Sequence, residues 1–151
     1  MKSCFHYNFV FSNTWENYHI EWMWGQDIRD ATVGFFGFGG IGQTIGKRLK
    51  GFDIERILYT TRRPIKKELE KEFKATKVPF HELLGNSDIL FIAAPLTPET
   101  EGIFNSTAFA KMKKNAVLVN IARGRKFLAK LLNKETFLNI SFLFIEFHSH
   151  C

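Results

Sequence analysis

The chain has 151 residues, 45% of them hydrophobic, and carries a formal charge of +6 from 21 basic against 15 acidic side chains. That is long enough for one domain with its own core. Its two cysteines, Cys4 and Cys151, belong to no CxxC or Cys/His cluster, which argues against a disulfide framework, predicts no metal site and fits a reducing compartment. The basic excess is interleaved with glutamate, as in Lys66-Lys67-Glu68-Leu69-Glu70-Lys71-Glu72. Such a run reads as a solvated helix face with i,i+4 pairs, not as a nucleic-acid patch.

In chain order, residues 1–24 are aromatic and irregular, with Trp15, Trp22 and Trp24 and no clear period. They make a poor signal peptide. Val33 to Phe36 reads as the first strand. Gly40 to Lys50 reads as a helix with Ile41, Ile45 and Leu49 on one face. Arg56 to Thr60 is a second strand, Lys66 to Phe73 a charged surface helix, and Thr76 to Val78 a short third strand. Pro79 to Leu84 is a helical turn that tolerates Pro79 in its first turn. Asp88 to Ala94 is a fourth strand, apolar enough to be covered on both faces. Thr97 and Pro98 suggest a helix cap followed by proline at the first helical position. Asn105 can cap a helix running to about Lys113, and Ala116 to Ile121 is a fifth strand.

Strands alternating with helices in this way predict an α/β fold, a Rossmann-type doubly wound parallel sheet. The pattern covers residues 25–125. Residues 126–151 form a divergent tail whose coarse pattern allows a helix and a strand, so the sheet is expected to be incomplete at its C-terminal side. Phe137 to Phe147 is the longest apolar stretch, but Asn139, Ser141 and Glu146 interrupt it. It is too short and too polar to span a bilayer, so no membrane partner is expected.

The most specific signal is Gly37-Phe38-Gly39-Gly40-Ile41-Gly42, placed between a strand and a helix. That order suits a dinucleotide pyrophosphate. Gly37 permits the tight turn, Gly39 has no side chain to hold the phosphates away, and Gly42 lets the helix pack close to the strand. The helix N-terminus then offers free N–H groups and partial positive charge. A glycine turn that binds nothing remains the alternative.

In this fold an acidic residue about 20 residues past the glycines usually accepts hydrogen bonds from the adenosine ribose. Here the strand ends Leu58-Tyr59-Thr60-Thr61-Arg62-Arg63-Pro64, and no Asp or Glu occurs from Arg56 to Lys67. Two arginines stand where a 2′-phosphate would lie, and a guanidinium grips such a group bidentately. NADP(H) is therefore expected over NAD(H). The alternative is a pair of arginines that merely solvate a strand end.

Three ordered motifs carry a family resemblance. Ala31 to Gly42, Ala94-Pro-Leu-Thr-Pro-Glu-Thr-Glu-Gly102 and Val119-Asn-Ile-Ala-Arg-Gly124 resemble the D-isomer-specific 2-hydroxyacid dehydrogenases. Leu58 to Pro64 is most similar to their glyoxylate/hydroxypyruvate reductase branch. The resemblance spans about residues 22 to 125. It implies an NADPH-dependent oxidoreductase of the cytoplasm that acts on glyoxylate, hydroxypyruvate and D-glycerate. It further implies that Gly39, Gly40 and Ile41 hold the pyrophosphate, and that Thr61, Arg62 and Arg63 surround the ribose phosphate. Pro95 would border the cofactor, and Ile121 would offer its backbone near the nicotinamide. Arg123 would bind the 2-oxo acid carboxylate and polarise its carbonyl. An arginine at a strand end suits such an anion, because a planar fork matches a carboxylate; a structural cation in a turn is the alternative. Family dimers form largely through this domain, so a homodimer is compatible with the resemblance.

After Arg125 the match to the family pattern ends. Reduction of a keto acid needs a proton donor as well as a hydride. The expected His/Glu pair is absent, and Glu146, His148 and His150 stand in unrelated surroundings. On the N-terminal side only a hinge-like fragment around Trp22 to Gly25 matches. The chain thus reads as an incomplete cofactor domain. A non-catalytic NADP(H)-binding module, associating through its Phe- and Trp-rich ends, is the competing reading. A methyltransferase on the same fold is disfavoured, because its phosphate-free cofactor has no use for Arg62 and Arg63.

Overall fold

The computed structural model describes residues 27–122 and the backbone of Ser141–Phe144. The irregular segment 1–24 and most of the tail from 126 lie outside the described residues. The elements run β1 (Thr32–Phe36), α1 (Gly40–Leu49), β2 (Arg56–Thr60), α2 (Lys67–Phe73), β3 (Ala75–Lys77), α3 (Phe80–Asn86), β4 (Ile89–Ile92), α4 (Ser106–Ala110), β5 (Val117–Asn120) and β6 (Ser141–Phe144). All six strands pair in parallel, in the order β3-β2-β1-β4-β5-β6. The doubly wound sheet expected from the sequence is therefore present. Ser141–Phe144 adds a sixth strand to β5 on the side where the sequence predicts the sheet to stop short.

Strand alternation divides the core into two layers. Val33, Phe35, Ile57 and Tyr59 face a layer closed by Leu49 of α1 and Phe73 of α2. Phe36, Leu58, Leu90, Ile92 and Leu118 face the other, closed by Leu83 and Leu84 of α3 and by Ala108 and Phe109 of α4. Gly34 lies on this second face against α3. A Cβ there would stand 2.1 Å from Ser87 Oγ, which is buried and donates to Leu83 O at 2.6 Å. The strand needs a glycine at this position because the helix end runs so close to it.

Four local expectations are corrected. Ile41 does not share a buried face with Ile45 and Leu49; it is 65% exposed. The helix buries Gly42, Gly46 and Leu49 instead, because its closest approach to the sheet is over Phe38, where only glycines fit. Thr97 and Pro98 open no helix. Thr97 O accepts from the amides of Thr100 and Glu101, which makes a turn. Pro79 is the residue before α3 and not part of its first turn. Asn105 does cap α4, its side chain accepting from Ala108 N at 3.0 Å, but that helix ends at Ala110.

At the amino ends of the strands, Asp88 ties three of them together. Its carboxylate accepts from Thr32 N at 2.9 Å and from Lys113 Nζ at 2.7 Å. Its own amide donates to Thr32 O, and its carbonyl accepts from Val117 N. Burial alone would raise its pKa. The Lys113 ammonium, the Thr32 amide and the charge of Arg56 outweigh burial and hold the carboxyl below its usual range. As pH falls, the unfolded chain therefore takes up this proton first, so the stabilisation is complete above the ordinary carboxylate pKa and is lost on acidification through the lower folded value. Asp88→Asn should cost about 1 kcal/mol near neutral pH. The same variant should lose less stability than the parent chain as pH falls below about 4, the ordinary carboxylate range, because it has no carboxylate to protonate. Urea unfolding at several pH values measures both effects.

Candidate functional site

The chain winds outward from β1 to β3, then returns to start β4 on the other side of β1. Open α/β sheets bind ligands at the carboxyl ends of the strands at such a switch point. The register aligns Thr60, Phe36, Ile92 and Asn120 across the sheet. The ladder continues one residue further, with Gly37 N donating to Thr60 O (3.0 Å), Ala93 N to Phe36 O (2.9 Å) and Ile121 N to Ile92 O (3.2 Å). Thr61, Gly37, Ala93 and Ile121 thus stand in one row at the rim, where four loops leave the sheet.

The glycine turn lies at the centre of that rim. Gly37 has φ +92°, and a Cβ on it would stand 2.6 Å from Ala94 N, so both backbone conformation and space call for glycine. A Cβ on Gly42 would stand 3.0 Å from Gly37 O and 3.1 Å from Phe38 Cδ2, and one on Gly46 3.2 Å from Ile57 Cδ1. Gly39 and Gly40 are different: no heavy atom lies within 4 Å of a Cβ built on either. Glycine there leaves open space above the backbone, which is what close approach of a phosphate requires.

Phe38 holds this turn in place. It is 1% exposed, and its ring lies against Phe35 (4.9 Å between centroids), Tyr59 (5.5 Å) and Phe73 (5.5 Å). Gln43 adds a latch, its side-chain amide donating to Phe38 O at 3.0 Å. The first intrahelical bond of α1 runs from Gln43 N to Gly39 O, which leaves the amides of Gly40, Ile41 and Gly42 without helical acceptors. No acidic residue occupies the first turn and no side chain caps it. The end of α1 is therefore electropositive and accessible.

At the end of β2, Tyr59 is buried and its hydroxyl donates to Glu70 Oε1 at 2.5 Å while accepting from Ile65 N at 3.2 Å. Burial, then the Glu70 bond, push this phenol above its ordinary pKa, so it stays protonated and pins the loop to α2. Within the loop Thr61 Oγ1 donates to Arg63 O at 2.6 Å, and Lys77 Nζ reaches Arg62 O at 3.4 Å. Arg62 and Arg63 are exposed. Among the described residues the ion pairs are Lys50–Glu72, Arg56–Glu55 and Lys113–Asp88, so neither guanidinium is within ion-pair distance of a carboxylate, although the charge of Arg62 reaches Glu99.

After β4, Pro95 is exposed at the rim. Its carbonyl accepts from Thr100 Oγ1 at 3.0 Å, and the Thr100 hydroxyl in turn accepts from Thr97 N at 2.8 Å, closing the loop on itself. Glu99 on this loop is held below the usual carboxylate range by a bond from Thr97 and its own amide, with a contribution from Arg62. After β5, Ile121 is half-buried at the rim, and buried Asn120 accepts from Ala122 N at 3.0 Å. That turn leads into Arg123, which lies outside the described residues, as do Glu146, His148 and His150. Among the described residues no group of three or more His, Cys, Asp or Glu comes together to hold a metal.

The structure thus gathers Gly37, Gly39, Gly40, Ile41, Gly42, Thr61, Arg62, Arg63, Pro95 and Ile121 around one end of the sheet. The family model of the D-isomer specific 2-hydroxyacid dehydrogenase NAD binding domain matches residues 4–136. This chain belongs to that family. It is 44% identical over 110 residues to glyoxylate reductase/hydroxypyruvate reductase of Homo sapiens, covering 73% of this chain and 33% of that one. It is 44% identical over 121 residues to glyoxylate reductase of Pyrococcus horikoshii, covering 78% and 36% respectively. Both place it on the glyoxylate/hydroxypyruvate reductase side of the family. Among solved structures, the apo form of D-lactate dehydrogenase from Escherichia coli superposes with a TM-score of 0.68 at 29% identity, over 81% of this chain and 38% of that one. A formate dehydrogenase from Granulicella gives a TM-score of 0.69 at 30% identity, over 80% and 32%. The chain spans about a third of the length of the curated relatives it matches.

Sequence reading passed over Phe38, Gln43, Lys77, Thr100 and Asn120. Only Phe38 and Gln43 had a usable signal, since they flank the glycines. The others matter through contacts between segments distant in the chain or through loop bonds that no spacing rule covers.

Two substitutions should separate structure from surface here. Gly37→Ala combines a positive φ with a backbone collision and should cost about 2–4 kcal/mol of stability. Gly39→Ala meets open space and should cost less than about 1 kcal/mol. Denaturant melts of the two variants check the contrast.

Proposed function

We propose that this chain is the nucleotide-binding part of an NADP(H)-dependent glyoxylate/hydroxypyruvate reductase, with residues 25–125 as the binding unit. Its substrates would be small 2-oxo and 2-hydroxy acids: glyoxylate, hydroxypyruvate and D-glycerate. The observation that carries the cofactor choice is Arg62 and Arg63 at the end of β2, exposed and in no ion pair among the described residues, in a loop with no acid from Arg56 to Lys67. An acid there would accept from ribose hydroxyls and repel a 2′-phosphate; two guanidinium groups do the opposite.

The residues fit a dinucleotide. Gly39 and Gly40 leave space for the pyrophosphate, and the free amides at the start of α1, that of Ile41 included, would donate to it. Thr61, Arg62 and Arg63 would enclose the adenosine phosphate. Pro95 would border the cofactor, and the Ile121 backbone would lie beside the nicotinamide. When bound, the nicotinamide supplies the hydride for reduction of the 2-oxo group. Arg123, one residue past the turn that Asn120 shapes, would hold the substrate carboxylate and polarise the carbonyl.

The same reading carries a cytoplasmic location and a homodimer, with neither nucleic acid nor membrane as partner. Its support is that basic side chains such as Lys50 and Lys113 are matched by acids. No helix among the described residues is long and apolar enough to cross a membrane.

Thermal unfolding of the chain with each nucleotide tests the proposal. NADPH at 100 times its Kd should add about 2.7 kcal/mol, and NADH at the same concentration clearly less. Equal shifts would remove the NADP(H) preference, and no shift with either would remove the nucleotide site. Gly39→Ala should abolish the NADPH shift while the ligand-free transition stays near that of the parent. Oxidation of NADPH by hydroxypyruvate, followed by absorbance, then separates a reductase from a module that only binds.

A further inference from the structure

We propose that Lys77 is a third cation of the anion site at the end of β2, contacting the 2′-phosphate of NADP(H) together with Arg62 and Arg63. This rests on the nucleotide reading above. β3 runs parallel to β2 with Tyr59 opposite Lys77, so Lys77 ends its strand at the level where the arginine loop begins. Two bonds fix that level. Val78 N donates to Tyr59 O at 3.0 Å, and Thr60 Oγ1 donates to Val78 O at 2.7 Å. Neighbouring Val78 is buried, whereas Lys77 is exposed on the edge strand of the sheet.

From there the Lys77 ammonium reaches across to the arginine loop and touches Arg62 O at 3.4 Å. A contact that long is weak, and an ammonium has three donors. A phosphate oxygen would compete readily with the carbonyl for one of them and leave the others free. No carboxylate among the described residues lies within ion-pair distance of Lys77, Arg62 or Arg63. Glu99, exposed on the loop after β4, is the carboxylate that feels the charge of Arg62, and it does so without forming an ion pair. The three positive side chains on two adjacent strand ends therefore keep charge to share with an anion that comes between them. A phosphate monoester with nearly two negative charges suits such a cluster, and a ribose with free hydroxyls does not.

The test uses the full chain and four probes: NADPH, NADH, 2′,5′-ADP and AMP, with affinities measured by calorimetry at two salt concentrations. The variants are Lys77→Gln, Lys77→Arg and Arg62→Gln. Lys77→Gln keeps a donor for Arg62 O but removes the charge. It should weaken NADPH and 2′,5′-ADP about fivefold to tenfold, leave NADH and AMP unchanged, and flatten the salt dependence of NADPH binding. Lys77→Arg should restore the parent affinities. The proposal is overturned if Lys77→Gln binds NADPH as the parent does, or weakens NADH and NADPH equally. If Arg62→Gln in that case still removes the NADPH preference, the cofactor reading stands and only the role of Lys77 fails. A parent chain that binds NADH as tightly as NADPH, or binds neither, overturns both.

Discussion

The site depends on one ring. Phe38, the residue between the first two motif glycines, is driven into the core between α1 and the sheet, against Phe35, Tyr59 and Phe73. Burying a phenylalanine is worth roughly 2–3 kcal/mol by area alone, and aromatic neighbours add to that. The backbone on either side of it must then follow. Gly37 turns with positive φ against Ala94, while Gly42 and Gly46 carry the helix over the ring at distances that a methyl group would crowd. Gly39 and Gly40, with no packing partner, are left facing open space. The loop is rigid below because a hydrophobic side chain anchors it, and bare above because nothing in the protein fills that side.

Polar satisfaction is distributed unevenly between the two ends of the sheet. At the amino end, Asp88, Thr32, Glu55 and Lys113 bond to one another and to strand backbone. At the carboxyl end, the loops bond internally: Thr61 to Arg63, Thr100 to Pro95, Asn120 to Ala122. Among the described residues there, Arg62, Arg63 and Lys77 form no ion pair, and the first amides of α1 have no side-chain cap. An end whose charges are paired contributes to stability, and an end whose charges are unpaired is available to a ligand. The contrast follows from topology, because the carboxyl ends of parallel strands at a switch point diverge and leave a crevice.

The glycine turn, the parallel α/β alternation and the arginine pair were all legible in the chain, each for a local reason. Glycines at fixed spacing between a strand and a helix are demanded by backbone geometry. Apolar runs such as Ile89-Leu-Phe-Ile92 announce strands covered on both faces. Arg62 and Arg63 follow directly on a strand. The errors were also local in origin. Ile41 fits an apolar stripe by spacing, yet Phe38 draws a different face of α1 to the sheet. Thr97 and Pro98 match a helix start, but the hydroxyl of Thr100 closes that segment into a turn.

The sequence by itself determined the fold class, the family and the position of the nucleotide loop, because those are written in short-range periodicity and in the spacing of residues with special backbone demands. Only the tertiary structure decided which helix face is buried, which glycines are there for packing and which for open space, and which basic residues distant in the chain lie side by side. Lys77 and Arg62 are fifteen positions apart in the chain, and no local pattern links them. Parallel pairing of β2 with β3 brings them together, and the register of that pairing depends on packing across the whole sheet.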